Sequence, residues 1–247
     1  MKISIIGVGN LGKSLLSGLT NSGTPLSDVT VLARPERVAE VSASLGVAAT
    51  DDINAAFYFA DVIFLVVKGH VFSELAPQLK QPVASNKTVV SFMAGVPFEK
   101  IYSQIGDCRL VRAMPSLAIA ANDGVIGYTA APPEVEKLLQ GLGYAFEVAS
   151  EDIEKVTAFS GCGLGFAAYL IDAFARAGRT LGFSAEQADK IAAQTFRNAV
   201  ERGEFAKTVR QVATKGGATE LGVAFMDLYD TYGIISGAVG KAYEKMK

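Results

Sequence analysis

The sequence predicts an α/β fold in two parts, a doubly wound, mostly parallel sheet followed by an all-helical part. Two observations predict this fold class. Short apolar runs alternate with helical patterns through the first 150 residues, which is typical of a parallel sheet covered by helices. From Glu151 to the end of the chain alanine-rich helical patterns dominate, and no convincing strand occurs. We therefore expect one domain over residues 1–150 and a second over residues 151–247.

The strands of the first domain are predicted from apolar, β-branched runs. Residues 61–67 form the clearest buried strand because they are apolar on both faces, as parallel sheets require. The helices end at breakers such as Gly46. In chain order the predicted strands cover residues 3–6, 29–33, 47–49, 61–67, 88–92, 109–113, 125–128 and 144–148. The predicted helices between them cover residues 13–19, 35–45, 51–60, 71–79, 98–105 and 133–141.

The second domain is predicted to consist of long helices over 158–181, 185–203 and 218–245, with a break at Gly216-Gly217. Residues 165–177 are so apolar that we expect them to be buried on every side. About a hundred residues of helix form only a thin core alone. We therefore expect much of this surface to meet a second subunit.

Composition and charge argue against several classes of protein. The chain has 23 basic and 25 acidic residues and no basic run, so no nucleic-acid partner is expected. The apolar N-terminus runs into glycines and Lys13 without a cleavage site, and no uninterrupted apolar stretch approaches the ~18 residues of a membrane helix. Cys108 and Cys162 lack metal-like spacing. We expect a soluble, cytoplasmic protein without a metal site or a membrane partner.

The first strand runs directly into Gly7-x-Gly9-x-x-Gly12 and then into helical sequence. In a dinucleotide-binding βαβ unit the first glycine permits a tight turn, the second lets the backbone approach a pyrophosphate, and the third lets the helix pack on the strand. The helix N-terminus adds free N–H groups and the positive end of a dipole. The motif, with Asn10 and Leu11 inside it, predicts a Rossmann-type cofactor site. A glycine-rich turn without a ligand is the alternative.

The end of the second strand indicates which nucleotide binds. NAD-selective sites usually carry Asp or Glu here, to bind the ribose 2′-hydroxyl. This chain has Ala33 followed by Arg34, with Arg37 one turn further on. A guanidinium can pair with a 2′-phosphate, and no carboxylate repels it. We therefore predict NADP(H) as the preferred cofactor, with NAD(H) as the lesser option. The alternative is that Arg34 is merely a solvated surface charge.

A second polar cluster lies near the C-terminus. The segment Val212-Ala-Thr-Lys-Gly-Gly-Ala-Thr219 joins two helical regions and turns backbone N–H groups and two hydroxyls, those of Thr214 and Thr219, toward one point. That arrangement can bind a carboxylate through N–H and hydroxyl donors, without a charged side chain. The alternative is a plain turn whose Thr219 caps the next helix. The residues alone do not decide between these two interpretations.

From end to end the chain resembles the pyrroline-5-carboxylate reductase family. The shared motifs are the opening Ile-Gly-x-Gly-Asn-Leu-Gly, Val66-Val-Lys68, Val111-Arg-Ala-Met-Pro115, Val156-Thr-Ala-Phe-Ser-Gly-x-Gly163 and, most specifically, Gly216-Gly217-Ala218-Thr219. The resemblance implies a Rossmann domain that carries NAD(P)H and a helical domain that dimerises by interleaving, in dimers that can assemble into rings. The implied reaction is hydride reduction of 1-pyrroline-5-carboxylate to L-proline, the last step of proline biosynthesis.

The resemblance also implies roles for individual residues. Thr219 would face the ring nitrogen of the substrate and is the predicted catalytic residue. The predicted substrate-binding residues are Thr214, Gly216, Gly217, Ala218 and Ser160. Beyond the glycine motif and Ala33-Arg34, the predicted cofactor contacts are Val67, Lys68, Met114 and Pro115. For Lys68, a solvated side chain is the alternative.

Several positions depart from the family's pattern, namely Gly69, Ser116, Leu164, Phe166 and Lys215. A tyrosine hydroxyl is thereby lost at Phe166, and a lysine is gained at Lys215. These departures leave two alternatives open. One alternative is a reductase of a different cyclic imine or of a small carbonyl compound. The alternative from another class is a non-enzymatic NADP(H)-binding sensor, which need not retain Thr214 and Thr219.

Reduction of an imine requires no general base, because an imine is already electrophilic and the nicotinamide supplies the hydride. The sole histidine, His70, is therefore interpreted as a loop residue. Cys162 has no histidine nearby in the sequence and is interpreted as a small packed residue rather than a nucleophile. A hydroxyacid dehydrogenase would need a lysine on the long helix, but residues 166–175 carry only Asp172 as a charged residue.

Overall fold

The computed structural model describes residues 1–246, which form two compact units. The first unit comprises Met1–Gly161 together with the end of the chain from Tyr243, and the second comprises Cys162–Ala242. The fold class predicted from the sequence, a Rossmann-type sheet followed by a helical part, is confirmed. The domain division expected at residue 150 stays a proposal.

The first unit is built on one eight-stranded sheet with the order β3-β2-β1-β4-β5-β6-β7-β8. Neighbouring strands are parallel except for β6 and β7, which are antiparallel. The strands are β1 (Ile3–Ile6), β2 (Val29–Leu32), β3 (Ala48–Thr50), β4 (Val62–Leu65), β5 (Thr88–Ser91), β6 (Arg109–Pro115), β7 (Gly124–Tyr128) and β8 (Gly143–Glu147). Each predicted strand is present, with ends shifted by at most two residues.

Helices cover both faces of the sheet, as the continuous apolar strands require. The helices of the first unit are α1 (Asn10–Asn21), α2 (Val38–Leu45), α3 (Ile53–Phe59), α4 (Gly69–Leu75), α5 (Phe98–Ile105), α6 (Pro133–Gln140) and α7 (Ile153–Val156). The first core cluster contains the buried residues of α1, α2 and α6, and the second contains those of α3, α4 and α5. The sheet is therefore doubly wound.

Two helices of the first unit differ from the prediction because of prolines. Pro35 begins a 3₁₀ turn, Pro35–Arg37, before α2 starts at Val38. The helix predicted over 71–79 instead covers Gly69–Leu75 and tightens into the 3₁₀ turn Ala76–Gln78. The 3₁₀ turn Ala76–Gln78 contains Pro77, which lacks the N–H that a continued α-helix would use.

The second unit is helical. Its helices are α8 (Gly163–Thr180), α9 (Ala185–Arg202), α10 (Phe205–Val212), α11 (Ala218–Leu228) and α12 (Thr231–Glu244), the last of which ends in residues assigned to the first unit. A reciprocal capping box between Ser184 and Gln187 starts α9. Phe174 of α8 meets Phe196 of α9 edge-on at 5.8 Å between ring centroids.

Two predicted long helices are interrupted. The helix predicted over 158–181 consists of a π-helical turn, Thr157–Gly161, followed by α8 from Gly163. Glycine lowers helix stability, and this segment carries several. The helix predicted over 218–245 is divided because Asp230 adopts a left-handed φ of 49°, which Asp tolerates better than most residues.

The surface of the second unit is unusually apolar for a single chain. Within one chain, residues 165–177 are mostly exposed rather than buried on every side, and Ala175 is the buried residue of α8. Among residues 1–246, one helical stretch, Ser150–Thr180, is long and apolar enough to cross a membrane by length and composition alone. The stretch is interrupted by charged residues, so the expectation that no uninterrupted apolar run approaches the length of a membrane helix is not contradicted. Little of the stretch is buried within the chain.

Candidate functional site

A cleft of about 1020 Å³ opens in the first unit at the C-terminal ends of β1, β2, β4 and β5. β1 and β4 lie side by side, with β2 and β3 on one flank and β5 and β6 on the other. This is the point where the strand order reverses, the usual ligand site of an open α/β sheet. Of the predicted cofactor residues, those that line the cleft are Gly7, Gly9, Asn10, Leu11, Ala33, Arg34, Val67 and Lys68.

The glycine motif has the geometry that a dinucleotide requires. Gly7 adopts a φ of 112°, which only glycine tolerates readily, and a Cβ there would lie 2.7 Å from the carbonyl oxygen of Val66. Gly12 does not line the cleft. A Cβ on Gly12 would lie 2.0 Å from the Gly7 carbonyl oxygen, so glycine allows α1 to pack on the preceding turn. At Gly9 a Cβ would meet no other atom within 4 Å, which leaves room for a ligand at the cleft lining.

The N-terminus of α1 provides the positive end of a helix dipole. Gly9 is its N-cap residue, no side chain caps the helix, and its first turn carries no acidic residue. The first N–H groups of a helix have no intrahelical acceptor. They and the dipole therefore suit the pyrophosphate of a dinucleotide.

The end of β2 carries no carboxylate at the position expected to bind a ribose. Ala33 is buried there, and the exposed guanidinium of Arg34 makes no hydrogen bond or ion pair within residues 1–246. Arg37 also lines the cleft, but its Nε and Nη2 atoms donate to the two oxygens of Glu40 at 3.0 and 2.9 Å. The guanidinium of Arg34 is therefore available to bind an anion, whereas that of Arg37 already binds the carboxylate of Glu40.

The segment after β4 forms the opposite side of the cleft. Val67, Lys68 and Gly69 line it, and Lys68 is the N-cap residue of α4. The exposed Lys68 side chain has no partner within residues 1–246. Gly69 sits close to Val96, whose Cγ2 would lie 2.7 Å from a Cβ at that position. The interpretation of His70 as a loop residue is wrong, because it lies in the first turn of α4. Its side chain is exposed and is not part of the cleft lining.

Two predicted cofactor residues lie away from the cleft lining. Met114 and Pro115 end β6, where they pair with Gly127 and Ile126 of the antiparallel strand β7. Met114 is only 3% exposed. Their contact with the cofactor therefore stays a proposal.

Sequence reasoning missed other residues of the cleft. They include the segment Phe92-Met93-Ala94 after β5 and the carboxylates of Asp51 and Glu74. The signal that could have found the first group is its position, directly after a buried parallel strand at the same edge of the sheet. Asp51 follows the parallel strand β3 in the same way, whereas Glu74 on α4 carries no comparable sequence signal.

A buried ion pair was also missed, and it anchors the segment after β5. Arg112 of β6 donates through Nη2 to Oε1 of Glu154 on α7, and the same oxygen accepts the N–H of Gly95 at 3.0 Å. Both side chains are largely buried. Within residues 1–246, Arg112 Nε and Glu154 Oε2 have no hydrogen-bond partner. The available signal was a single charged residue within the apolar run of β6.

The predicted substrate loop, residues 214–219, joins α10 to α11 in the second unit. Gly216 adopts a φ of 74°, and its N–H donates to Oε2 of Glu220 at 2.6 Å. The N–H of Gly217 donates to the carbonyl of Thr214 at 2.8 Å. Gly217 is the N-cap residue of α11, so the alternative in which Thr219 caps this helix is wrong.

Thr219 lies in the first turn of α11 and is exposed, as are Thr214 and Ala218. Ser160 belongs to the π-helical turn of the first unit, and its hydroxyl donates to the Val156 carbonyl at 2.9 Å. Cys162 is half-buried. Within residues 1–246, no group of three or more His, Cys, Asp or Glu side chains could hold a metal ion.

Family models match both halves of the chain. Residues 150–247 match the model for pyrroline-5-carboxylate reductase dimerisation. Residues 2–95 match the model for coenzyme F420-dependent NADP oxidoreductases. The first match covers the helical part, and the second covers the glycine motif and most of the cleft.

Relatives match along the whole length. Pyrroline-5-carboxylate reductase from Staphylococcus aureus strain COL is 26% identical over 266 residues, covering 99% of this chain and 96% of the relative. A solved pyrroline-5-carboxylate reductase from Coxiella burnetii is 27% identical with a TM-score of 0.81, covering 99% and 97% of the two chains. The Plasmodium falciparum pyrroline carboxylate reductase, solved with NADP bound, shares the fold at 21% identity, with a TM-score of 0.90 and coverage of 100% and 97%.

The sequence motifs, the sheet with its switch-point cleft, the helical part and the full-length relatives agree with one another. The dimerisation model matches the region that contains both the exposed apolar helices and the 214–219 loop. Along its whole length the chain is similar to pyrroline-5-carboxylate reductases, and its residues 150–247 match the dimerisation model of that family.

Proposed function

We propose that the protein reduces the cyclic imine 1-pyrroline-5-carboxylate to L-proline with NADPH, the last step of proline biosynthesis. The observation that carries the proposal is the full-length likeness to reductases of that name, which includes the dimerisation match over the 214–219 loop. A homodimer through the helical part, a further ring of dimers and a cytoplasmic location belong to the same proposal.

The cofactor proposed is NADP(H), with NAD(H) as the weaker ligand. The residues of the cleft fit it: Gly7 permits the tight turn after β1, Gly9 leaves room for the pyrophosphate, and the α1 N-terminus offers N–H donors to it. The unpaired Arg34 would bind the 2′-phosphate, and Ala33 adds no repelling charge. When bound, the nicotinamide supplies the hydride. The relative from Plasmodium falciparum, solved with NADP bound, supports this choice.

The substrate carboxylate is proposed to bind the 214–219 loop. The first N–H groups of α11 have no intrahelical acceptor, and its N-cap residue Gly217 brings no side chain that would block them. Lys215 adds a positive charge next to them, and a substrate carboxylate would have to replace the Glu220 carboxylate at the Gly216 N–H. The hydroxyl of Thr219 would support the ring nitrogen as its bonding changes, and Ala218 lies beside it in the first turn of α11. A contact of Ser160 with the substrate stays a prediction.

A second candidate function is the reduction of a different cyclic imine. Leu164 and Phe166 favour it, since they replace a proline and a tyrosine of the family pattern and bring more apolar surface with one hydroxyl fewer. A substrate with a larger apolar ring would suit these side chains.

The test is oxidation of NADPH with 1-pyrroline-5-carboxylate, comparing the natural protein with Thr219→Ala and Thr219→Ser. We expect turnover by the natural protein and about a hundredfold lower kcat for Thr219→Ala. A loss of this size is usual when one hydrogen-bond donor that stabilises the transition state is removed. Thr219→Ser, which keeps the hydroxyl, should retain most of the rate. NADPH affinity, measured by calorimetry, should be unchanged in both variants.

Two results would contradict the proposal. If the natural protein binds NADPH but does not turn over, the proline assignment is wrong, and a series of larger cyclic imines tests the second candidate. If Thr219→Ala turns over at the natural rate, Thr219 has no part in the mechanism.

A further inference from the structure

The two arginines at the end of β2 are not equivalent. Arg34 and Arg37 both line the cleft, but only Arg37 is already bound to a carboxylate. Its Nε and Nη2 atoms donate in parallel to both oxygens of Glu40, which lies in the first turn of α2. This fork geometry is the one that a guanidinium would offer to a phosphate. Glu40 therefore occupies the Nε–Nη2 edge of the guanidinium, one of the two edges that could bind a 2′-phosphate in this way.

Glu40 is also an anion within a cationic environment. The hydrogen bonds and charge of Arg37 hold the pKa of Glu40 below its usual range, and the charge of Lys13 on α1 acts in the same direction. Glu36 lies near Arg37 as well but is not hydrogen-bonded to it. Because the Arg37–Glu40 pair is exposed, it is weak enough to open.

We infer that Glu40 is a specificity-determining residue that withholds Arg37 from the 2′-phosphate, so that Arg34 alone carries the preference for NADPH over NADH. The inference rests on the proposed cofactor. A 2′-phosphate that approaches the Nε–Nη2 edge of Arg37 must displace a carboxylate oxygen of Glu40, and one that approaches the other edge remains close to the negative charge of Glu40. Removing that charge frees Arg37 to join Arg34. NADH has no 2′-phosphate and should not respond.

The experiment measures the dissociation constants of NADPH and NADH by calorimetry for the natural protein and for Glu40→Gln. We expect NADPH to bind Glu40→Gln roughly tenfold more tightly, the scale of one added hydrogen bond to a charged group. NADH affinity should change less than about twofold. Glu36→Gln is the matched control, because it removes the same charge from the neighbouring turn without freeing Arg37. We expect it to leave both affinities nearly unchanged.

Arg37→Ala and the double variant Glu40→Gln/Arg37→Ala identify the group responsible. Arg37→Ala alone should weaken NADPH binding little, and the gain of Glu40→Gln should disappear in the double variant. Three results would overturn the inference: no gain in Glu40→Gln, a gain that persists without Arg37, or an equal gain in Glu36→Gln.

The natural protein and Arg34→Ala separate this inference from the proposed function. If the natural protein binds NADPH no better than NADH, the proposed cofactor preference and this inference are both wrong. If the natural protein prefers NADPH, reduces the imine and loses its preference in Arg34→Ala, the proposed function stands. A Glu40→Gln variant that does not bind NADPH more tightly then contradicts only the role of Glu40.

Discussion

At the scale of single residues, Cys108 illustrates how burial alone removes reactivity. It lies just before β6 in the second core cluster and is 6% exposed. Burial is the main cause that raises the pKa of its thiol from 9.0 to about 11. The thiolate, which is the reactive form, is therefore scarce at neutral pH. Cys108 is a packing residue of the core.

The raised pKa of Cys108 predicts how stability depends on pH. Below pH 9 the thiol is protonated in both the folded and the unfolded chain. As the pH rises from about 9 to about 11, only the unfolded chain ionises, so the free energy of unfolding should fall by about 2 to 3 kcal/mol. Urea unfolding of the natural protein and of Cys108→Ala across this range measures the effect, because the variant lacks this part of the slope. Identical slopes would contradict the prediction.

At the scale of elements, the contact between β1 and α1 determines what each glycine of the motif does. Gly12 is needed by the packing of α1, because the Gly7 carbonyl oxygen occupies the place of a Cβ. Gly9 is not constrained in this way. Its backbone is extended, with a φ of −69°, and open space surrounds the position of a Cβ. One glycine therefore serves the fold, and the other serves the ligand.

The contrast predicts opposite results for two alanine substitutions. Gly12→Ala should lower the free energy of unfolding by about 1 to 3 kcal/mol, the usual cost of overpacking. Gly9→Ala should leave the stability of the chain nearly unchanged but weaken NADPH binding at least about tenfold, because the methyl group occupies the place of the pyrophosphate. Denaturant unfolding and calorimetric titration measure the two properties separately. A stable Gly12→Ala, or a Gly9→Ala that binds NADPH normally, would contradict this division of roles.

At the scale of the whole molecule, the exposed apolar surface of the second unit needs a partner. Large apolar side chains with more than 60% of their surface exposed recur along its helices, among them Tyr169, Leu221, Phe225, Leu228, Tyr232 and Ile234. Monomeric proteins rarely expose so many together. Because the same region matches a dimerisation domain, a second copy of the chain is the partner that we propose.

The proposed dimer predicts the mass in solution. Light scattering should give at least twice the chain mass of 25.9 kDa, or a higher multiple if dimers form rings. Leu228→Glu, which places a charge on the apolar surface, should shift the mass toward that of one chain. Tyr58→Glu is the control, because Tyr58 is similarly exposed but lies on α3 of the first unit. A natural protein with the mass of one chain would contradict the dimer.

The sequence alone determined the features that depend on neighbours along the chain. The alternation of strands and helices, the glycine turn and the missing acid at Ala33 are all local patterns, so the order of the residues is enough to predict them. Helix ends were less predictable, because the π-helical turn before α8 and the left-handed Asp230 depend on small local differences in energy.

Only the tertiary structure decided the features that join distant segments. These are the strand order that opens the cleft, the ion pair between Arg112 and Glu154, and the contribution of the segment after β5. Even the pairing of Arg37 with Glu40 depends on the folded backbone, because Glu36 is also close to Arg37 in the sequence. Spacing limits which charges can meet, but the direction in which the backbone turns after β2 decides which ones do.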